Sequence, residues 1–293
     1  MYKNLFKNIV TVSISIFFVT IVLFILNSSP LDIYKALFDG AFGNLDKLSR
    51  TMLITSIMAL TGLALVITFS AGLWNIGIEG QVLFGAIGAT FIARSFLGDN
   101  LISPFLAVLF GAIFGSFLGF LSAILKTKFN VHEIFGGLGL DFVASGLIVY
   151  LVIGPWKREG IASTGGTDLF PESSWMPHIG NSDFPIFPIL IMLAVFVLLS
   201  FLLNKTSLGL RLIATGSNKN ATDKFKINSV KYIAYAFIIA GAIGGMAGSI
   251  QATGIYHKLV PNISGGYGFL GILIALIAGK NLYSVLLISF VFA

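Results

Sequence analysis

Long apolar segments alternate with short polar ones along almost the whole chain. Seven apolar runs cover residues 9–26, 51–71, 81–97, 104–125, 133–153, 184–203 and 231–250. Each is close to the roughly 20 residues that a helix needs to cross the hydrocarbon core of a bilayer. A helix is predicted because its backbone groups pair within the segment, whereas an open strand would leave them unpaired in lipid.

Two further apolar runs, 267–279 and 282–293, are too short to cross a membrane as single helices. A hydrophobic stop at Phe292-Ala293 is expected of a chain that is truncated relative to a complete protein, and a re-entrant C-terminal hairpin is the alternative. The pattern predicts an all-α fold, a polytopic integral membrane helix bundle. It would have about eight to ten membrane segments, some of them broken or re-entrant. We interpret residues 1–293 as one transmembrane domain.

The composition supports a membrane protein and excludes several functional classes. Hydrophobic residues make up 56% of the chain and charged residues only 10%, too few to cover the surface of a soluble fold. The chain has no cysteine and only three histidines, so disulfides and a metal site are not expected. No phosphate-binding loop occurs, which predicts that this chain is not an ATPase.

The charges predict which side of the membrane each loop faces. If Lys3 and Lys7 are cytoplasmic, eleven of the eighteen basic residues fall in inner segments, while eight acidic residues accompany the other seven basic residues outside. The inner basic residues are Lys3, Lys7, Lys126, Lys128, Lys205, Arg211, Lys219, Lys224, Lys226, Lys231 and Lys280. This distribution follows the positive-inside rule and predicts a cytoplasmic N-terminus, an outer loop at 154–183 and an inner loop at 204–230. The net charge of +6 therefore indicates orientation, and we expect no nucleic-acid partner.

The densest polar signal is Gly72-Leu73-Trp74-Asn75-Ile76-Gly77-Ile78-Glu79-Gly80-Gln81, between two apolar runs. Glycines let a chain bend and let helices approach closely, and broken helices can line a substrate path. One interpretation is a kinked segment at a translocation path. The other is a cytoplasmic turn in which Glu79 stands favourably near the start of the next helix.

Asp141 lies well inside an apolar run, in Gly139-Leu140-Asp141-Phe142. A carboxylate at this depth is costly and usually faces the interior of the bundle. A functional interpretation is that Asp141 contacts a polar ligand or is the proton site of a pump. The alternative is that it is a packing acid, hydrogen-bonded to a neighbouring helix.

Two other patterns concern packing and the inner loop. Gly111, Gly115 and Gly119 are four residues apart, as are Gly241 and Gly245. This spacing favours close helix packing, within the chain rather than at a subunit interface, which is the alternative. In the inner loop, amphipathic spacing at 208–214 predicts a short interfacial helix.

These segments resemble a known family. The 72–81 segment is similar to the signature of permease subunits of bacterial ABC importers in the branched-chain amino acid and simple-sugar superfamily, specifically its nucleoside importers. Three further segments agree in the same order. They are the outer-loop pair 154–157 and 171–177, the loop 206–221, which resembles the cytoplasmic coupling loop, and the glycine segment 266–272. One departure is an acid, Asp141, where the family usually has an amide-bearing segment, which predicts a changed substrate preference.

The resemblance implies a multi-pass permease of the bacterial cell membrane that forms the translocation pathway for nucleosides. It implies three kinds of partner besides lipid: a second permease subunit, cytoplasmic ATP-binding subunits and an extracytoplasmic substrate-binding lipoprotein. This chain would bind no cofactor, and ATP would be used by the partner subunit. Alternatives are a sugar or branched-chain amino acid ABC permease, or an ion-coupled transporter that uses Asp141 or Glu79.

Three sets of residues are the candidate sites. The substrate pathway is assigned to Asn75, Glu79, Gln81, Asp141 and Phe142. The gating glycines are Gly72, Gly77, Gly80, Gly266, Gly268 and Gly271. Coupling to the ATPase is assigned to Leu208, Gly209, Arg211, Gly216 and Asn218. No catalytic residue or metal ligand is expected.

Overall fold

The computed structural model describes residues 14, 16–158, 160, 165–177 and 184–293. Regular structure in these residues is entirely helical. The helices are α1 (Ile16–Ile25), α2 (Pro30–Phe42), α3 (Leu45–Ser70), α4 (Ile78–Ala93), α5 (Ser103–Thr127), α6 (Glu133–Ile153), α7 (Ile186–Lys205), α8 (Ser207–Ser217), α9 (Lys219–Lys224), α10 (Ser229–Gln251), α11 (Tyr267–Ile277) and α12 (Leu282–Phe292). A π-helical turn, Ala252–Tyr256, extends α10, and a short 3-10 turn, Glu172–Ser174, precedes α7.

The lengths of these helices confirm the predicted membrane bundle. Within the described residues, five helices are long and apolar enough to cross a membrane: α3, α5, α6, α7 and α10 with its π turn. The pair α1 and α2 passes the same test together but bends by 118°. Three more apolar helices, α4, α11 and α12, are shorter. The 11 residues of α11 rise only about 16 Å, roughly half a bilayer core.

The helices fall into two compact units, Met1–Thr51 and Met52–Ala293. In the first unit the chain turns after α1 at Asn27, which has a φ of 53°. The hydroxyl groups of Thr20 and Tyr34 lie 2.8 Å apart across this turn. Lys3 and Lys7, which support the predicted cytoplasmic N-terminus, lie outside the described residues.

In the second unit α4 is the central helix. All its residues except Phe91 are buried, because α5, α6 and α10 surround it. Its glycines allow this contact: a Cβ on Gly85 would overlap the backbone of Gly245 on α10. The structure also confirms the predicted glycine packing between helices, since Gly111 and Gly115 of α5 face Gly245 of α10.

Two helices end in the same way at one end of this unit. At the end of α3, Gly72 N donates to Phe69 O and Leu73 N to Thr68 O, with Gly72 in the left-handed region at a φ of 73°. The end of α11 repeats this capping pattern around Gly279, whose φ is 58°. An open groove of about 250 Å³ separates the two ends, with Trp74 and Lys280 in its lining.

Candidate functional site

The chain between α3 and α4 carries a pair of buried amides. Asn75 and Gln81 are 1% and 0% exposed. Asn75 Nδ2 donates to Gln81 Oε1 at 3.1 Å, and Gln81 Nε2 donates back to Asn75 Oδ1 at 3.3 Å. A buried polar group without a partner is costly, and here the two amides satisfy each other. This pair fixes the non-helical linker 71–77 onto the first turn of α4.

Glu79 lies in the first turn of α4, but its carboxylate reaches α11. Its Oε2 accepts a hydrogen bond from Gly268 N at 2.8 Å, and its Oε1 accepts one from the Ser264 hydroxyl. Gly268 is the second residue of α11, where backbone N–H groups have no partner within the helix. Glu79 therefore caps the N-terminus of a helix that follows it by 189 residues in the chain.

Asp141 of α6 makes the equivalent contact to α4. Its Oδ1 accepts a hydrogen bond of 2.6 Å from Gly80 N, which belongs to the first turn of α4. Its Oδ2 is buried and has no hydrogen-bond partner among the described residues. As expected from the sequence, Asp141 faces the interior, with an exposed fraction of 6%.

The first turns of α4 and α11 are in direct contact inside the bundle. A Cβ on Gly268 would lie 2.8 Å from Glu79 Cα, so a side chain there would separate the two helices. From this point α11 packs along the second half of α3: Thr61 Oγ1 donates to Tyr267 O at 3.1 Å, and Gly271 faces Thr61. Thr61 precedes the end of α3 by nine residues, or about 13 Å, so α11 starts well inside the bundle.

The other predicted gating glycines differ in their surroundings. A Cβ on Gly77 would lie 3.0 Å from Gly137 Cα of α6, and one on Gly80 would lie 2.6 Å from Asp141 Oδ1. Gly266 precedes α11 with a φ of 81° and has open space around it. Five of the six glycines thus allow close contacts between elements: Gly77, Gly80, Gly268 and Gly271, and also Gly72, which faces Gly216 of α8.

The predicted pathway residues do not share one surface. Phe142 is 76% exposed on the surface of α6. The other four pathway residues are buried: Asn75, Glu79, Gln81 and Asp141. Within the described part of the chain, none of the four buried residues lines the groove at the ends of α3 and α11.

The 204–230 loop, predicted to be cytoplasmic, contains a short helix where its pattern predicts one, α8. Thr206 caps α8 through a bond from Gly209 N at 3.2 Å, and Asn218 caps α9 through a bond from Ala221 N at 3.0 Å. Leu208 is partly buried, while Arg211 is exposed and donates to the hydroxyl of Tyr232 on α10 at 2.8 Å. Hydrogen bonding from Ser229 lowers the pKa of the Asp223 carboxyl, which lies at the end of this loop.

Gly216 connects α8 to the signature segment. A Cβ on Gly216 would lie 2.6 Å from Gly72 N and 2.6 Å from the carbonyl carbon of Ala71. Backbone therefore packs directly on backbone here, at the point where α3 ends and the non-helical linker begins.

The segment 165–177, part of the loop predicted to lie outside, is bound to the chain that leads into α11. Thr167 N donates to Leu259 O at 2.9 Å, Phe170 N to His257 O at 2.8 Å and Met176 N to Thr253 O at 3.0 Å. The ring of Trp175 stacks on that of His257, with centroids 4.0 Å apart. These contacts fix the entry to the non-helical segment 257–266.

Three polar residues of the site are absent from the predicted set. They are Thr61, Ser264 and Gln251, and Gln251 Nε2 donates to Ser264 O at 3.1 Å. Gln251 carried a usable signal, because an amide directly after an apolar run requires a partner. Thr61 carried none, since threonine hydroxyls in helices commonly bond their own backbone. Among the described residues, no group of three or more His, Asp or Glu side chains could hold a metal ion.

Comparison with known proteins identifies the family. The chain is 30% identical to the guanosine ABC transporter permease protein NupP of Bacillus subtilis, over 87% of this chain and 74% of that protein. It is 25% identical to the nucleoside ABC transporter permease protein NupB of Lactococcus lactis, over 90% of this chain and 75% of that protein. It is 29% identical to the glucose ABC transporter permease protein TsgB13 of Haloferax volcanii, over 92% of this chain and 73% of that protein.

No solved structure gives a significant match. The model of the family described as the branched-chain amino acid transport system / permease component matches residues 47–293. The resemblance predicted from four sequence segments is thereby confirmed. A permease component is a membrane subunit rather than an enzyme, and ATP is used by a partner subunit of such a transporter. The chain is a multi-pass membrane protein that belongs to this permease family.

Proposed function

We propose that this chain forms the translocation pathway of an ATP-driven nucleoside importer in the bacterial inner membrane. The names of two relatives, a guanosine permease and a nucleoside permease, support this substrate class. The glucose permease at 29% identity keeps a sugar as the second candidate.

The observation that carries the transport mechanism is the contact between Gly216 and Gly72. It joins the exposed helix α8 directly to the linker from which α4 begins. An ATP-binding subunit that moves α8 would therefore move this linker as well. Leu210 and Ile213 of α8 are 69% and 41% exposed and offer an apolar surface for that subunit, with Arg211 between them.

The orientation follows from the same assignment. ATP-binding subunits are cytoplasmic, so α8 faces the cytoplasm and the 165–177 segment faces outward. The basic residues of the 204–230 loop support this orientation. An extracytoplasmic binding lipoprotein would deliver substrate to the outer loop, and a second permease subunit would complete the pore.

For the pathway we assign the exposed face of α6 around Phe142. The buried residues Asn75, Glu79, Gln81 and Asp141 would hold the helices that form it. An exposed aromatic ring suits a nucleobase, which binds by stacking. Asn75 and Gln81 bond each other, while Glu79 and Asp141 each accept a hydrogen bond from the backbone of another helix. These bonds support a role in holding the pathway helices.

Uptake in the host organism tests the proposal. We expect disruption of the gene to abolish uptake of radiolabelled guanosine. Restoring the full-length gene should recover uptake, but not in cells whose partner ATPase is inactive. Loss of glucose uptake instead would assign a sugar permease, and uptake that persists with inactive ATPase would assign an ion-coupled transporter. Pull-down of the tagged protein should recover an ATP-binding subunit.

A further inference from the structure

The first turns of α4 and α11 meet inside the bundle, and each is capped by a carboxylate from another element. Asp141 of α6 caps α4 at Gly80, and Glu79 of α4 caps α11 at Gly268. The three helices are therefore connected in series by contacts from a side chain to the backbone.

The negative charges of Glu79 and Asp141 are balanced by the N-termini of helices and not by basic side chains. None of the ion pairs of the described residues includes Glu79 or Asp141. The N-terminus of a helix carries a partial positive charge and unpaired N–H groups, which favour a carboxylate. The position of each acid thus accounts for its presence in an apolar interior.

α11 depends on Glu79 because it has no side-chain cap of its own. Its N-cap residue is Gly266, which lacks a side chain. The nearby hydroxyl of Ser264 is engaged with Glu79 Oε1, and the backbone of Ser264 is held by Gln251. The carboxylate of Glu79 therefore fixes both the first turn of α11 and the non-helical segment before it.

The same residue lies between the two surfaces of the bundle. Towards α8, the linker 71–77 leads from the contact between Gly72 and Gly216 to Glu79. Towards the outer loop, the segment 257–266 leads from the bond between Thr167 and Leu259 to Ser264 and α11.

We infer that Glu79 is a positioning residue that makes α4 and α11 move together, so that motion of α8 is transmitted to the segment beneath the outer loop. It acts through hydrogen-bond acceptance and not by carrying a proton or cation. This inference rests on the proposed function for its transport consequence, but the position of α11 can be measured independently of any substrate.

Glutamine at position 79 separates hydrogen bonding from charge. Its oxygen can accept from Gly268 N while its NH₂ donates to Ser264, because a serine hydroxyl both donates and accepts. Leucine at position 79 removes both bonds at similar volume. We expect uptake per assembled transporter to stay within about threefold of wild type in Glu79→Gln and to fall at least about tenfold in Glu79→Leu.

The maleimide labelling rate of a cysteine introduced in α11 measures how accessible the first turn of this helix is, and so reports its position. The chain has no cysteine, so Phe269→Cys, on the 46% exposed side chain in the first turn of α11, gives a single labelling site. In the purified full chain we expect equal maleimide labelling rates with Glu79 and Glu79→Gln, and a severalfold higher rate with Glu79→Leu.

The outcomes separate the possible failures. Equal labelling in all three proteins would overturn the positioning role, whatever the transporter carries. Loss of uptake in Glu79→Gln with unchanged labelling would also overturn it, because it would indicate that the charge itself acts. If the wild type carries no nucleoside but labelling follows the expected order, the proposed substrate is wrong and the positioning role of Glu79 stands.

Discussion

Gly72 and Gly216 touch backbone to backbone: a Cβ on Gly72 would lie 3.0 Å from Gly216 Cα. Gly72 ends α3 and opens the signature segment, while Gly216 lies in the last turn of α8. The contact brings together two segments that the sequence could only assign separately to the linker and to the coupling loop.

Replacement of Gly216 by alanine should disrupt this contact. The added methyl group would overlap the backbone between Ser70 and Gly72, which cannot rotate away as a side chain could. Overpacking of this kind costs about 1–3 kcal/mol. We expect Gly216→Ala to reduce uptake several-fold while the ATP-binding subunit still co-purifies. Ser217→Ala, at the exposed neighbour, is the control, and full uptake in Gly216→Ala would contradict the role of this contact.

Gly77→Leu should abolish uptake while the protein still inserts into the membrane. Gly77 faces Gly137, and a Cβ at 3.0 Å from Gly137 Cα leaves no room for a leucine side chain. Fractionation measures insertion and radiolabelled nucleoside measures uptake. Gly40→Leu is the control, since a Cβ there meets open space. Normal uptake in Gly77→Leu would show that the contact between the linker and α6 is dispensable.

Arg211→Glu should weaken binding of the ATP-binding subunit. Arg211 is exposed on α8, and charge reversal changes the surface that the subunit would contact. Its bond to Tyr232 offers a competing explanation, in which Arg211 only holds α8 against α10. Tyr232→Phe removes that bond alone, so we expect unchanged co-purification in this variant. Equal loss in both variants would assign Arg211 to support of α8.

Gln81→Leu should destabilise the protein by about 1–3 kcal/mol, because the buried Asn75 amide loses its partner. Asn75→Leu should have a similar effect. The double variant should cost less than the sum of the two, since it leaves neither amide unpaired. Thermal unfolding of the purified protein in mild detergent measures all four forms. Strict additivity would indicate that the two amides act independently.

The sequence determined the class of fold because hydropathy is a local property. A run of about 20 apolar residues requires a membrane helix wherever it occurs, and the predicted spans 104–125 and 133–153 lie within α5 and α6. Spacing likewise predicted α8 from 208–214 and the glycine packing of α5 on α10. It was less exact for α4, which begins at Ile78 and not at residue 81, because a helix can begin with a polar first turn.

Tertiary structure decided which groups satisfy the buried acids. The sequence indicated that Glu79 and Asp141 need partners at membrane depth, but not that Gly268 and Gly80 supply them. Those partners lie 189 and 61 residues away, and they are backbone N–H groups that every residue other than proline has. Within a helix such a group is available only in the first turn, and it meets the acid only where two helices pack. The depth at which α11 begins is therefore a property of the assembled bundle, which no local pattern encodes.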